Sequence, residues 1–218
     1  LKKALDLFCG AGGASMGLHR AGFEVTGVDV KPQPRYPFRF IQADALTFPL
    51  EGYDFIWASP PCQAFSAMKS LPGARKDHPN LIPPIRERLI KSGALYCIEN
   101  VPGAPLINYF MLCGSMFGLK SHSDRYLRRH RIFETNFNSF LVPSCNHWGK
   151  AVGVYGHGSS GRLGQRIRTA SASEARILME MEWAPLSSMT QAVPPAYSEF
   201  IGRQAMAMLT REAGADAR

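Results

Sequence analysis

Ser59-Pro60-Pro61-Cys62-Gln63 directly follows the apolar run Asp54-Phe55-Ile56-Trp57-Ala58. A thiol on a stiffened turn, where a buried strand runs out, is placed as a nucleophile. Consecutive prolines fix φ twice and remove two backbone donors, which holds the turn rigid and aims Cys62 off the sheet edge. Taken alone, such a cysteine is more often a small apolar core residue. Three other segments change that reading.

The first is Asp6-Leu7-Phe8-Cys9-Gly10-Ala11-Gly12-Gly13, where a short apolar strand turns into a helix running from near Ala14 to near Gly22. Its glycines allow a ligand to approach the backbone closely. Asp29, 16 residues beyond Gly13, ends a second strand, Glu24 to Val28, where a carboxylate can accept hydrogen bonds from ribose hydroxyls. Asp44, after the strand-like Phe38 to Gln42, adds an acidic group suited to an adenine amino group, or else a turn cap.

The second is Tyr96-Cys97-Ile98-Glu99-Asn100-Val101-Pro102-Gly103, an apolar strand ending in a carboxylate and an amide. Between Cys62 and Glu99 lie 36 residues, within which Asn80 to Ser92 reads as an amphipathic crossover helix. The third is Leu127-Arg128-Arg129-His130-Arg131-Ile132-Phe133, read as a strand with Arg129 and Arg131 on one face. Two guanidiniums so placed can clamp a phosphate, orient a flat polar ring or lower the pKa of a nearby thiol.

The elements needed to position these groups are strands alternating with helices, an α/β fold with a mostly parallel sheet. Right-handed crossovers return the chain in the same direction, so Gly10, Asp29, Asp44, Cys62 and Glu99 are expected at one rim, where open α/β sheets bind ligands.

In order and spacing these segments resemble the DNA cytosine-5 methyltransferase family. Asp6 to Gly13 is similar to its cofactor loop, Pro61-Cys62-Gln63 to its nucleophile motif, Glu99-Asn100-Val101 to its acid motif and Arg129-His130-Arg131 to its paired-arginine motif. Gln191-Ala192-Val193-Pro194-Pro195, followed by Ile201-Gly202, resembles the final motif, with Gln191 where most relatives have asparagine. Asp29 stands for the more frequent glutamate, and Leu127 for a frequent glutamine. The short stretch between paired arginines and final motif resembles the compact versions carried by bacteriophages.

The resemblance implies a Rossmann-like, S-adenosylmethionine-dependent methyltransferase fold with a small basic target-recognition lobe. Expected units are a catalytic domain at 1–140, the lobe at 141–169 and a C-terminal return into the catalytic domain at 170–218. Implied catalytic residues are Cys62, Glu99, Arg129 and Arg131. Cofactor contacts are expected from Asp6, Phe8, Gly10, Gly12, Gly13, Asp29, Asp44, Pro60, Gln191 and Val193. The implied reaction is methylation of cytosine carbon 5 in DNA through a Cys62 adduct. The alternatives are the same transfer to tRNA, or a catalytically silent DNA-binding relative. Arginine neighbours are expected to raise the thiolate fraction of Cys62, and Glu99 to be held protonated or to share its proton with ring nitrogen 3, with Arg131 at the ring carbonyl oxygen and Arg129 supporting the loop.

Charge points to a polyanionic partner. From Lys120 to Arg168 there are nine Lys and Arg against Asp124 and Glu134, an excess of seven within a chain of net charge +8. DNA contacts are expected from Gln63, Ser66, Arg75 and Lys76, in a polar segment, Gln63 to His78, suited to closing over DNA. Arg162, Arg166 and Arg168 join them, with Gly156 to Arg162 read as a DNA-facing loop. Cys145-Asn146-His147, with His157 and Cys113, supplies metal-ligand atom types, but the spacing fits no common finger and no metal is expected.

At 218 residues and 45% apolar content, the chain can bury one α/β core plus an appendage. It has no 18-residue apolar run and no visible signal or transit sequence, and its five cysteines form no disulfide framework. A monomer in bacterial or phage-infected host cytosol, without membrane association, is the expectation.

Overall fold

The structure, a computed structural model, describes residues 1–63, 65, 79–137, 142, 144–147, 149–155 and 167–215, the last four of these as backbone alone. Five strands carry the parallel part of the fold: β1 (Lys3–Leu7), β2 (Glu24–Asp29), β3 (Arg39–Gln42), β4 (Phe55–Ala58) and β5 (Leu95–Asn100). With β6 (Phe110–Leu112) and β8 (Arg131–Thr135) they form a seven-stranded sheet in the order β3-β2-β1-β4-β5-β8-β6. Neighbours from β3 to β5 are parallel, and β8 is antiparallel to both β5 and β6.

Register, rather than order alone, decides where the site forms. Leu7 is level with Val28 and Ala58, and Ala58 with Ile98. The residues that come next, Phe8, Asp29, Ser59 and Glu99, therefore emerge in one row. The central strands are apolar on both sides because both faces are covered. Phe55 and Trp57 join Leu18, Phe23, Tyr197 and Ile201 on one face, while Ile56 and Ala58 join Ile82, Ile85 and Leu89 on the other.

The helices α1 (Gly13–Arg20) and α5 (Pro195–Ala215) cover the first face. They approach so closely that a Cβ on Gly17 would lie 2.1 Å from the Pro195 carbonyl oxygen and 2.1 Å from Ser198 Oγ. Since backbone cannot yield as a long side chain does, Gly17→Ala is expected to cost about 3 kcal/mol. Urea unfolding of the ligand-free protein checks this; an unchanged midpoint would refute the packing argument.

The second face carries α2 (Ile82–Ser92), the crossover helix, close to its expected bounds. Asn80 Oδ1 accepts from the Ile82 N–H at 3.0 Å, and Gly93, with φ +70°, ends the helix in the left-handed region. Arg86 then clamps Glu134 of β8 through two hydrogen bonds of 2.7 Å, and the same carboxylate accepts from Ile107 N–H at 2.7 Å. This nearly buried ion pair links helix, antiparallel strand and loop into one support.

A second, three-stranded sheet contains β7 (Tyr126–Leu127), β9 (Ala151–Gly153) and β10 (Arg168–Thr169), in the order β10-β9-β7. The chain then forms α3 (Ala172–Met179), whose N-terminus Ser171 caps, and α4 (Leu186–Met189) before α5. Trp183 Nε1 donates to the Ala11 carbonyl at 2.7 Å, and a Cβ on Gly13 would meet the Val193 carbonyl oxygen at 2.2 Å. The C-terminal segment thus lies against the glycine loop. Among the described residues, no helix is long and apolar enough to cross a membrane.

Candidate active site

The turn after β1 is held in an unusual conformation. Phe8, Gly10 and Gly12 all have positive φ, +60°, +47° and +82°. Phe8 pays for this without the freedom of glycine, and such outliers collect at ligand sites. The turn is pinned by Cys9 N–H to the Val28 carbonyl at 3.1 Å and by Gly10 N–H to Asp29 Oδ2 at 3.0 Å. Asp29 Oδ1 accepts from Lys31 N–H at 2.9 Å, so the carboxylate is fixed at the strand end.

Next along the row, Ser59 N–H donates to the Leu7 carbonyl at 3.1 Å, and Trp57 Nε1 donates to Ser59 Oγ at 2.9 Å. The buried Asn100 donates from Nδ2 to the Pro60 carbonyl at 2.9 Å while its Oδ1 accepts from Val101 N–H at 2.9 Å. One amide therefore locks the proline turn of the thiol to the strand of the acid. Glu99 in turn pairs with Arg131, Nε to Oε1 2.9 Å, and Arg131 Nη1 donates to the His130 carbonyl at 2.9 Å.

These groups enclose a cavity of about 420 Å3, large enough for a nucleoside-bearing ligand. Of the expected residues, Asp6, Phe8, Gly10, Gly13, Asp29, Pro60, Cys62, Gln63, Glu99, Arg131, Gln191 and Val193 line it together. Ser187 and Ser188 of α4, Lys31 and Ser59 also line it and were not anticipated. Their only sequence signal was position, next to Gln191, Asp29 and Pro60.

Three expectations need correction. Gly12 is not in the lining: it stands at the start of α1, and a Cβ there would meet the Tyr36 ring at 2.9 Å. Asp44 is exposed and outside the lining, and its Oδ1 accepts from Leu46 N–H at 2.8 Å, the turn-cap role. Arg129 does not share a strand face with Arg131, because β8 begins only at Arg131. Its buried guanidinium donates instead to the carbonyls of Ala192 (3.1 Å), Val154 (2.9 Å) and Thr190 (2.8 Å). Three carbonyl acceptors are what a buried cation without a carboxylate partner needs, and burial lowers its pKa only to about 9. Arg129 is a positioning residue.

At Cys62 the arginines act in the expected direction but do not decide the balance. Burial pushes the thiol pKa up, and this outweighs the lowering by Arg131 and Arg129, with Glu99 adding to the rise. Burial likewise raises Glu99 above the usual carboxylate range despite Arg131.

Of the residues expected to touch DNA, Gln63 is exposed at the cavity. Ser66, Arg75, Lys76, Arg162 and Arg166 lie outside the described residues, as do the Gly156 to Arg162 loop and His157. Arg168 forms a two-pronged pair with Glu174. The basic stretch is also less free than its count suggests, since Lys120 pairs with Asp124, Arg131 with Glu99 and Arg129 is buried.

Tyr36 is a supporting residue that the sequence reading missed. Its hydroxyl lies 2.6 Å from Ser15 Oγ, and a Cβ on Gly27 would fall 2.1 Å from that oxygen. Glycine in mid-strand was the available signal of a close approach. Ser15 also bonds Asp6 Oδ2.

Expected S-adenosylmethionine fits what these residues leave open. Asp6 Oδ1 is buried at the cavity without a partner among the described residues, and a Cβ on Gly10 would meet none of them within 4 Å. A carboxylate oxygen in that state suits a cationic ammonium or sulfonium.

Burial, opposed by the Ser15 hydroxyl and reinforced by Asp29, raises Asp6 to about 7. The folded protein therefore binds more protons than the unfolded chain between pH 4 and 7. Stability of the ligand-free protein falls as pH rises through that window. Asp6→Asn, neutral throughout, is expected to remove this fall and to leave the variant more stable than the parent at pH 8. Urea midpoints from pH 5 to 8 test it, and parallel curves for the two proteins would count against it.

The profile of the family described as C-5 cytosine-specific DNA methylase matches residues 2–105. No curated protein matches the chain. Among solved structures, the Dnmt2 methyltransferase of S. pombe is similar with a TM-score of 0.61 and 14% identity, over 96% of this chain and 99% of that one. The methyltransferase EhMeth of Entamoeba histolytica gives 0.62 and 10%, over 95% and 98%. A protein described as a DNA modification methyltransferase encoded within an E. coli prophage gives 0.47 and 16% over 80% of this chain, which spans 64% of its length. The S. pombe and Entamoeba likenesses establish a methyltransferase fold. The stretch that matches the C-5 cytosine-specific DNA methylase profile, residues 2–105, spans the glycine loop, the Cys62 turn and the Glu99 strand.

Proposed function

We propose that the chain is a DNA (cytosine-5-)-methyltransferase working through a covalent Cys62 adduct. The observation that carries this reading is that Cys62, the Glu99–Arg131 pair and the glycine loop line one cavity. Cytosine carbon 5 is too weak a nucleophile to take a methyl group unaided. Cys62, as thiolate, adds to carbon 6 and raises electron density at carbon 5. Glu99 meets ring nitrogen 3 and offsets the negative charge that arrives there. Arg131 holds Glu99 through Nε, leaving Nη2 to meet the ring carbonyl oxygen.

S-adenosylmethionine, when bound, supplies a methyl group on a sulfonium as the electrophile. Asp6, Phe8, Gly10, Gly13, Asp29, Gln191 and Val193 would hold it beside Pro60. Loss of the carbon 5 proton to a base then returns electrons to the ring and expels Cys62.

A stacked base cannot be reached in this way, so the target cytosine must swing out of the duplex at a cost of a few kcal/mol. We assign residues 1–140 to catalysis, 141–169 to a lobe facing DNA, and 170–218 to a return that braces the glycine loop. Gln63, Ser66, Arg75, Lys76, Arg162, Arg166 and Arg168 are the proposed DNA contacts. Five free thiols, one of them the nucleophile, suit a monomer in a reducing cytosol, bacterial or phage-infected.

Transfer of labelled methyl groups to DNA and to tRNA, side by side, tests the substrate. Labelling of DNA is expected. Labelling of tRNA alone would replace DNA by RNA as the substrate, and absence of both, with no adduct to 5-fluorocytosine DNA, would make the chain a silent relative.

A further inference from the structure

Away from the cavity, the fold gathers four side chains that the sequence keeps apart. The sulfurs of Cys113 and Cys145 and ring nitrogens of His130 and His147 all lie within 4.8 Å of one another. Among the described residues, this is the one such cluster of potential metal ligands. Cys113 leaves β6 and precedes the 3-10 turn Gly114–Phe117, His130 lies between the two arginines, and Cys145 and His147 come from the segment beyond β8.

The separations are those of ligands around one ion. Cys113 Sγ lies 3.7 Å from His147 Nε2, and Cys145 Sγ lies 3.4 Å from His130 Nε2. Bonds of about 2.3 Å to sulfur and about 2.0 Å to nitrogen place such a pair about 3.6 Å apart on a tetrahedron. Cys145 Sγ and His147 Nε2 are closer, at 2.7 Å, but both side chains are exposed and can open by rotation. The imidazoles of His130 and His147 meet edge to face, with centroids 5.0 Å apart, so neither ring stacks over the other. Ser115 Oγ, 3.8 Å from Cys145 Sγ, is a hydroxyl placed to support a thiolate.

We propose that Cys113, His130, Cys145 and His147 bind one zinc ion in a closed tetrahedral site. Two thiolates and two neutral imidazoles are the donor set that selects zinc among common divalent ions. Each thiol gives up its proton to solvent on binding, so the two thiolates balance the charge of the ion. With four protein ligands no position is left for substrate, which makes the role structural.

The ion would tie residues 145–147 to the segment carrying both arginines. His130 stands directly between Arg129, which holds Val154, Thr190 and Ala192, and Arg131, which holds Glu99. Zinc would thus set the approach of the lobe segment to the catalytic acid.

Elemental analysis of the untagged chain, expressed with zinc supplied and dialysed without chelator, is expected to find about one zinc per chain. Cys145→Ser and His147→Ala are expected to lose most of it, while Cys62→Ala keeps it. Should those variants fail to fold, the parent decides alone: replacement by cobalt should give the intense visible bands of a tetrahedral thiolate site. Zinc-free parent protein, unchanged zinc in Cys145→Ser, the weak spectrum of octahedral cobalt, or a Cys113–Cys145 disulfide in protein prepared with zinc would each overturn the proposal. None of these readouts depends on methyl transfer.

Discussion

Cys62→Ala should lose methyl transfer by about four orders of magnitude or more, because no other group can open the pyrimidine ring to methylation. Binding of S-adenosylhomocysteine, followed by calorimetry, should change little. The side chain is short, its proline turn is held by the Asn100 amide and the Ser59 N–H rather than by the thiol, and the glycine loop is pinned separately by Asp29. Trapping with 5-fluorocytosine DNA gives a second readout, with an adduct for the parent and none for the variant. Retained turnover in the variant would remove the thiol from the mechanism, and so would weakened cofactor binding as the main defect.

Glu99→Gln should slow transfer by about a hundredfold or more, the usual contribution of a positioned general acid. Glutamine keeps the shape, an acceptor for Arg131 and a hydrogen bond to nitrogen 3, but it lacks the proton to give. The pH profile gives a sharper test than the rate. Cys62 must lose its proton, and its raised pKa makes the parent rate climb with pH. Glu99 must keep its proton, so its ionisation opposes that climb, and its own raised pKa moves the opposition to higher pH. A bell results for the parent. In Glu99→Gln the alkaline fall should vanish while the rising limb remains. An unaltered bell would mean that another group supplies the proton.

The local physics of the chain was enough to find the rim of the site. Glycines at positive φ, prolines before a thiol and carboxylates after apolar runs each report a strand end, and right-handed crossovers collect strand ends on one side. Gly10, Asp29, Cys62 and Glu99 were placed at one rim by such arguments, as was Asp44, which lies outside the cavity lining, and the bounds of α2 followed closely from its apolar spacing. What depended on contacts between distant segments could not be read in this way. Alternation put Arg129 and Arg131 on one strand face, yet one is buried against carbonyls of residues 154, 190 and 192 and the other faces Glu99.

Net thiol acidity belonged to the same class, since burial and neighbouring charge act in opposite directions and only packing decides their balance. The sequence by itself determined the parallel sheet, the rim and the chemistry of its side chains, because these rest on periodicity and on residues close along the chain. Only the tertiary structure decided which carbonyls Arg129 braces, that Arg131 pairs with the acid, and that Cys113, His130, Cys145 and His147 converge. Their meeting depends on how β6, the arginine segment and the chain beyond β8 pack together, and no spacing along the chain encodes that distance.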